Sequence, residues 1–121
     1  MRIVSFAWTT EALLAGLKTV TRRFWKDSHA RRFHKGDLVQ AWNKSPWCTR
    51  WEGPRPRKVA TIHLTADPFK QSLYLITDED ERKEGGLWGS AKAFREMMLA
   101  QGKGHVPYVV EFGLVSLEEA A

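Results

Sequence analysis

The chain has 121 residues, of which 43% are hydrophobic and 12% aromatic, enough for one domain with a buried core. Its charged fraction of 27% and the lack of an apolar run near the roughly 20 residues of a membrane helix argue against a disordered or membrane-spanning chain. The polar start "MRIVSFAWTTEALLAG" is not expected to act as a secretory signal, and the single Cys48 has no partner for an internal disulfide, so a cytoplasmic address is expected.

Arg2–Phe6 alternates and is β-branched, which predicts a first strand. Thr9 or Thr10 is positioned to cap a helix through "EALLAG", with Glu11 in the acidic first turn and Gly16 as terminator. "TVTRRF" follows with strand composition, so "GLKTVTRRFW" lies at a helix-to-strand junction, on the rim of a core. "DSHARRFHKGD" reads as a polar connection with a turn at Lys35–Asp37, and "DLVQAW" as a strand. Residues 43–58 form a long loop rich in Pro, Gly and Arg. "KVATIHLTA" and "FKQSLYLI" predict two further strands.

Thr77 before "DED" predicts a helix N-cap, and that short helix stops at Gly85–Gly86. Ser90 caps another helix with Phe94, Met97 and Met98 on one face, ending near Gly102. "PYVVEFGLVSL" is a last strand, with Pro107 at its start, where proline is tolerated. The order β-α-β-β-β-β-α-α-β predicts an α+β fold: a small closed or nearly closed barrel with peripheral helices, one domain over residues 1–121.

The net charge of +5 is unevenly spread. Lys18–Lys58 holds twelve Lys/Arg against three acids, a net of +9, and residues 59–121 hold six against ten. The basic segment also carries Trp25, Trp42, Trp47 and Trp51. Cations for phosphates beside flat rings for bases suit a nucleic acid; the same pattern also fits core tryptophans under a solvated basic face.

Nothing in the chain has metal-ligand spacing: His29 and His34 lie five apart, His63 and His105 stand alone, and neither H-E-x-x-H nor C-x-x-C occurs. No metal and no cofactor is expected. The Walker loop, the dinucleotide glycine fingerprint and the G-x-S-x-G elbow are absent. Chemistry therefore centres on "GLKTVTRR". In a strand, Lys18, Val20 and Arg22 point one way and Thr19, Thr21 and Arg23 the other, and a turn just before the strand loosens the rule for Lys18. A buried lysine gives up its charge readily, so Lys18 and Thr21 form a conceivable base–nucleophile pair. An adjacent arginine is able to hold a carbonyl oxygen, a phosphate or a base edge. Glu84, where a short helix ends at two glycines, is the best candidate acid. The competing reading makes Lys18 and the arginines phosphate contacts and the threonines plain strand formers.

Gly16-x-Lys18-Thr19-x-Thr21-x-Arg23, after a strand and a short helix, resembles the signature of the ASCH family, the activating-signal-cointegrator homology domains with a PUA-like barrel. The resemblance continues in "HKGDLVQAW", "ITDEDERKEGG" and "YVVEF", and so spans nearly the whole chain. Many members carry Glu where this chain has Thr21, and the 43–58 loop departs from the shortest members. The resemblance implies two functional branches. One binds RNA or nucleotides. The other comprises small amidohydrolases that remove the acyl group from N4-acylated cytidines, N4-acetylcytidine above all.

Carried over residue by residue, the second branch implies Lys18, Thr21 and Glu84 as the catalytic set, with Glu81 the alternative carboxylate. Lys18 deprotonates Thr21, Thr21 attacks the amide carbonyl, and Glu84 supports proton transfer to the leaving amine. Arg23 orients substrate or stabilises the oxyanion, and Tyr108 is expected to line the pocket. Trp8 and Trp25 are the aromatic candidates to stack on the base. The implied partner is a modified cytidine nucleoside, with RNA as the alternative partner of a non-catalytic module gripping through its basic, Trp-rich face.

Overall fold

β6 (Tyr108–Leu117), ten residues long, organises the sheet. Its C-terminal part pairs antiparallel with β4 (Lys58–Leu64), Leu64 opposite Phe112 and Ala60 opposite Leu117. Its first residues pair on one edge with β2 (Val20–Arg23), Thr21 opposite Val110, and on the other with the two-residue β5 (Phe69–Lys70). From β4 the sheet continues through antiparallel β3 (Leu38–Trp42) to β1 (Arg2–Ser5), which runs parallel to β3. The order is β1-β3-β4-β6-β2, with β5 beside β6. Register shifts at Ala41/Trp42 and Thr61/Ile62 bend and twist the strands, and the sheet curls into a half-barrel. This computed structural model describes residues 1–118.

The two end strands, β1 and β2, share no ladder. A side chain joins them instead: Arg23 Nη2 donates to the Ser5 carbonyl at 2.5 Å. Inside the curl, Val4, Phe6, Leu13, Val39, Ile62, Leu64 and Phe112 form the main core. Phe6 meets Phe112 edge-to-face at 5.6 Å, a favoured aromatic geometry. β4, central in the sheet, is buried over the run Val59–Ile62, as a strand covered on both faces should be.

Among the described residues four α-helices lie at the periphery: α1 (Thr10–Leu14), α2 (Asp27–Ala30), α3 (Asp78–Lys83) and α4 (Ala91–Gly102). Thr77 starts α3 with a full capping box, its hydroxyl accepting from Asp80 N while the Asp80 carboxylate accepts from Thr77 N. Ser90 Oγ accepts from Ala93 N to start α4, which buries Phe94 and Met98 against Leu73 and Ile76 in a second, smaller core. Among the described residues no helix is long and apolar enough to cross a membrane.

Three local expectations differ from the structure. Asp27–Ala30 is helical rather than a plain connection, with Ala30 buried. "FKQSLYLI" pairs only at Phe69–Lys70, because Ser72 Oγ accepts from Tyr74 N and turns Leu73–Leu75 into a 3-10 helix that drops Leu73 into the second core. Thr9 caps nothing: its hydroxyl donates back to the Phe6 carbonyl and closes a 3-10 turn, Ala7–Thr9, ahead of α1. The coarser expectation, an α+β fold with a curled, barrel-like sheet and peripheral helices, agrees with the architecture.

Candidate active site

The entry to β2 is stitched to the end of α3. Gly16, at φ 75°, ends α1, and Leu17 N and Lys18 N both donate to the Ala12 carbonyl. Thr19 N then donates to the Lys83 carbonyl, and Lys18 forms a bridge with Glu84. Glu84 is the C-cap of α3, and the chain turns away through Gly85 at φ 121°. A Cβ on Gly85 would stand 3.0 Å from the Ala12 methyl, so glycine is required there for both backbone and packing.

This stitching brings three ionic side chains together out of solvent. Lys18 Nζ donates to Glu84 Oε1 at 2.9 Å and to the Glu84 carbonyl at 3.0 Å. Arg22 Nη1 donates to Glu84 Oε2 at 2.9 Å, so each carboxylate oxygen holds one cation. Arg22 Nη2 donates to Gln71 Oε1 at 3.0 Å. The Lys18, Arg22 and Glu84 side chains are all at most 3% exposed. Burial pulls the Lys18 ammonium below its ordinary 10.5. Glu84 opposes that pull, and the nearby Arg23 and Arg22 add to it. Two cations share one buried anion, and lysine is the partner able to resolve the excess by losing a proton.

Thr21, also buried, sits beside this cluster. Its Oγ1 accepts from Arg23 Nε at 3.1 Å. Arg23 is fixed at its far end by the Ser5 carbonyl and lies over the Phe6 ring at 5.5 Å. Burial lowers the Arg23 guanidinium below its usual value, Glu84 opposing. A cationic donor on a hydroxyl oxygen stabilises negative charge developing there. No hydrogen bond joins Lys18 to Thr21 among the described residues; Lys18 keeps one N–H beyond the two that Glu84 takes.

Lys18, Thr21, Arg22, Arg23 and Glu84 line one cleft of about 310 Å³. Its other wall is apolar, with Phe24, Trp88, Phe94 and Met98. Trp8 stands at its edge, 63% exposed, and meets Trp88 edge-to-face at 5.1 Å. The volume is at the lower end for small-molecule sites, and the lining has their usual makeup, apolar walls with a few fixed polar groups.

Five of the residues singled out in the sequence are thus brought together: Lys18, Thr21, Glu84, Arg23 and Trp8. Three are not. Glu81 is buried but turned away, its Oε1 accepting from Trp88 N and Gly89 N to fold the 85–89 turn. Trp25 stacks on Phe33 at 4.6 Å and meets His29 at 4.8 Å, outside the cleft. Tyr108 donates to Asp27 Oδ1 at 2.5 Å, beside Lys70. Its expected place in the pocket is corrected: position 108 opens β6, opposite Arg23, on the side of α2.

Sequence reasoning gave Arg22 no part in the catalytic set and no role at all to Gln71 or Trp88. The parity of Lys18 and Arg22 on β2 was the available signal for Arg22. For Gln71 and Trp88, both far away in the chain, there was none. Among the described residues no cluster of three or more His, Cys, Asp or Glu stands ready to hold a metal.

No family model matches the chain, and no curated protein matches it in sequence. In structure it is similar to protein EF3133 from Enterococcus faecalis V583, a crystal structure described under the family DUF984. The likeness has a TM-score of 0.61 at 13% identity and covers 95% of this chain and 74% of that one. It is a likeness of fold.

Proposed function

We propose that this chain is a PUA-like, ASCH-type domain that works as an amidohydrolase on N4-acylated cytidines such as N4-acetylcytidine. The observation that carries the reading is the buried Lys18–Glu84 pair beside Thr21 in a cleft with aromatic walls. A salt bridge removed from water is a weak source of stability, because desolvation cancels much of its attraction. A lysine with a lowered pKa next to a buried hydroxyl is what acyl transfer needs.

In the proposed cycle the neutral Lys18 amine takes the Thr21 proton as Thr21 Oγ1 forms a bond to the acyl carbon. Arg23 Nε, already on that oxygen, stabilises the developing alkoxide. The carbon–N4 bond then breaks, and the proton passes from Lys18 to the leaving amine, with Glu84 holding the ammonium in place. Cytidine departs with its amino group restored. Water attacks the remaining threonyl ester, Lys18 again taking the proton, and a carboxylic acid leaves with Thr21 regenerated. Trp8 and Trp88 supply apolar surface at the mouth for the pyrimidine.

The test is conversion of N4-acetylcytidine to cytidine, followed by ultraviolet absorbance. Turnover by the wild-type protein that disappears in Thr21→Ala supports the reading. No turnover of the acetyl substrate or of bulkier N4-acyl cytidines would overturn it.

A further inference from the structure

A second recess lies apart from the cleft and shares no lining residue with it. It is an open groove of about 720 Å³ between β1, α2 and the head of the 43–57 loop. Arg2, Arg32, Phe33 and Trp47 give it its character. Phe33 forms part of the lining, backed by the stacked ring of Trp25. The Arg2 guanidinium lies over Phe33 at 5.7 Å and is steadied by the Arg32 carbonyl, which accepts from Arg2 Nε at 3.0 Å. Trp47 contributes to the wall with an indole that is 77% exposed.

An exposed indole on a loose loop would mean little, but this loop is tied. Lys44 Nζ donates to the Pro54 carbonyl at 2.7 Å and to the Glu52 carbonyl. Asn43 bonds across to the backbone of Arg55 and Arg57. These bonds close the base of the loop, and within it Trp47 N donates to Ser45 Oγ and Cys48 N to the Ser45 carbonyl.

Most of the basic side chains around the groove lack ion-pair partners. Among the described residues, no carboxylate forms an ion pair with Arg2 or Arg32, nor with the neighbouring Arg31 and Lys35. Asp37 is the one acid among the lining residues, and its carboxylate accepts from His34 N. The groove thus offers two guanidinium groups without ion-pair partners next to an exposed flat ring. A small anion would use the cations and leave Trp47 without purpose. A chain of phosphates carrying bases uses both.

We propose that this groove binds single-stranded nucleic acid, with a base stacked on Trp47 and phosphates held by Arg2 and Arg32. Stacking and phosphate contacts read neither base identity nor the sugar hydroxyl, so RNA and DNA strands bind alike. The site stands whether or not the Lys18–Thr21 cleft hydrolyses acyl cytidines.

Fluorescence anisotropy with labelled mixed-sequence RNA and DNA strands of about twelve nucleotides, within the usual footprint of such surfaces, tests it. Trp47→Ala should weaken binding of both strands about tenfold. Arg32→Glu should weaken it and flatten the salt dependence by about one unit of log–log slope or more. Lys92→Glu, exposed on α4 and outside the groove, changes net charge equally and should leave affinity close to wild type. The proposal is overturned if the wild-type protein binds neither strand at low salt, if Trp47→Ala binds unchanged, or if Lys92→Glu weakens binding as much as Arg32→Glu.

Discussion

Lys18 Nζ lies 2.9 Å from Glu84 Oε1 and 3.0 Å from the carbonyl oxygen of the same residue, so one amine grips both the side chain and the backbone of a helix C-cap. The contact joins residues 66 apart in sequence and locks β2 to α3. It fixes the amine in the cleft that Thr21 also lines.

The lowered pKa of Lys18 gives a stability signature with a definite sign. Below the folded-state value both folded and unfolded chains hold the proton, and Lys18 adds no pH dependence. Between that value and 10.5 the unfolded chain keeps a proton that the folded chain has released, so stability rises with pH across that window. Urea midpoints taken over a pH series should show this rise in the wild-type protein and its loss in Lys18→Met. Parallel pH profiles for the two proteins would contradict it. Turnover should rise through the same lowered value as the free base appears.

Thr21 separates a hydroxyl role from a packing role. Thr21→Ser keeps the oxygen that Arg23 Nε contacts and should retain measurable turnover, within about tenfold of wild type. Thr21→Ala should lose turnover while costing only about 1 kcal/mol of stability, the scale of one buried hydrogen bond. The pair of kcat values, with a denaturation curve for each variant, checks this.

Glu84 and Glu81 are both buried acids on one short stretch, and they should behave differently. Glu84→Gln removes the anion that Lys18 and Arg22 share, leaving Arg22 only the Asp80 carboxylate at 3.9 Å. It should cost about 3–5 kcal/mol and reduce kcat by about a hundredfold or more. Glu81→Gln keeps an oxygen for Trp88 N and Gly89 N, so a loss of about 1 kcal/mol and near-wild-type kcat are expected. Steady-state kinetics under conditions where both variants are folded distinguish the two carboxylates.

Trp8 is exposed enough for its removal to leave the fold alone. Trp8→Ala should shift stability by no more than about 0.5 kcal/mol. If its ring stacks on the pyrimidine, KM should rise about tenfold with kcat nearly kept. A fall in kcat at constant KM would place Trp8 in the chemistry instead.

The strands were the readable part of the fold, because the alternation of Arg2–Phe6 and the β-branched, largely apolar run of Lys58–Leu64 both favour a sheet. The helix starts at Thr77 and Ser90 were readable too, since caps are local chemistry. "FKQSLYLI" misled because its apolar residues serve a helix cluster rather than a sheet face, a choice made by tertiary contact. Lys18 and Thr21 line one cleft although strand parity alone would separate them, as the turn before the strand allows. Their meeting with Glu84 comes from the Lys83–Thr19 backbone bond, which no local pattern announces. Tyr108 was misplaced for a related reason: the strand was right, but no residue of β6 lines the cleft, which the pairing of the whole sheet decides.

The central claim is that Thr21 becomes acylated during the reaction. Rapid acid quench of the protein mixed with excess N4-acetylcytidine, then intact-mass measurement and peptide mapping, tests it most directly. The account predicts one added acetyl group, located on Thr21 and absent in Lys18→Ala. Turnover without any acylated protein, or an acetyl group on another residue, would contradict it.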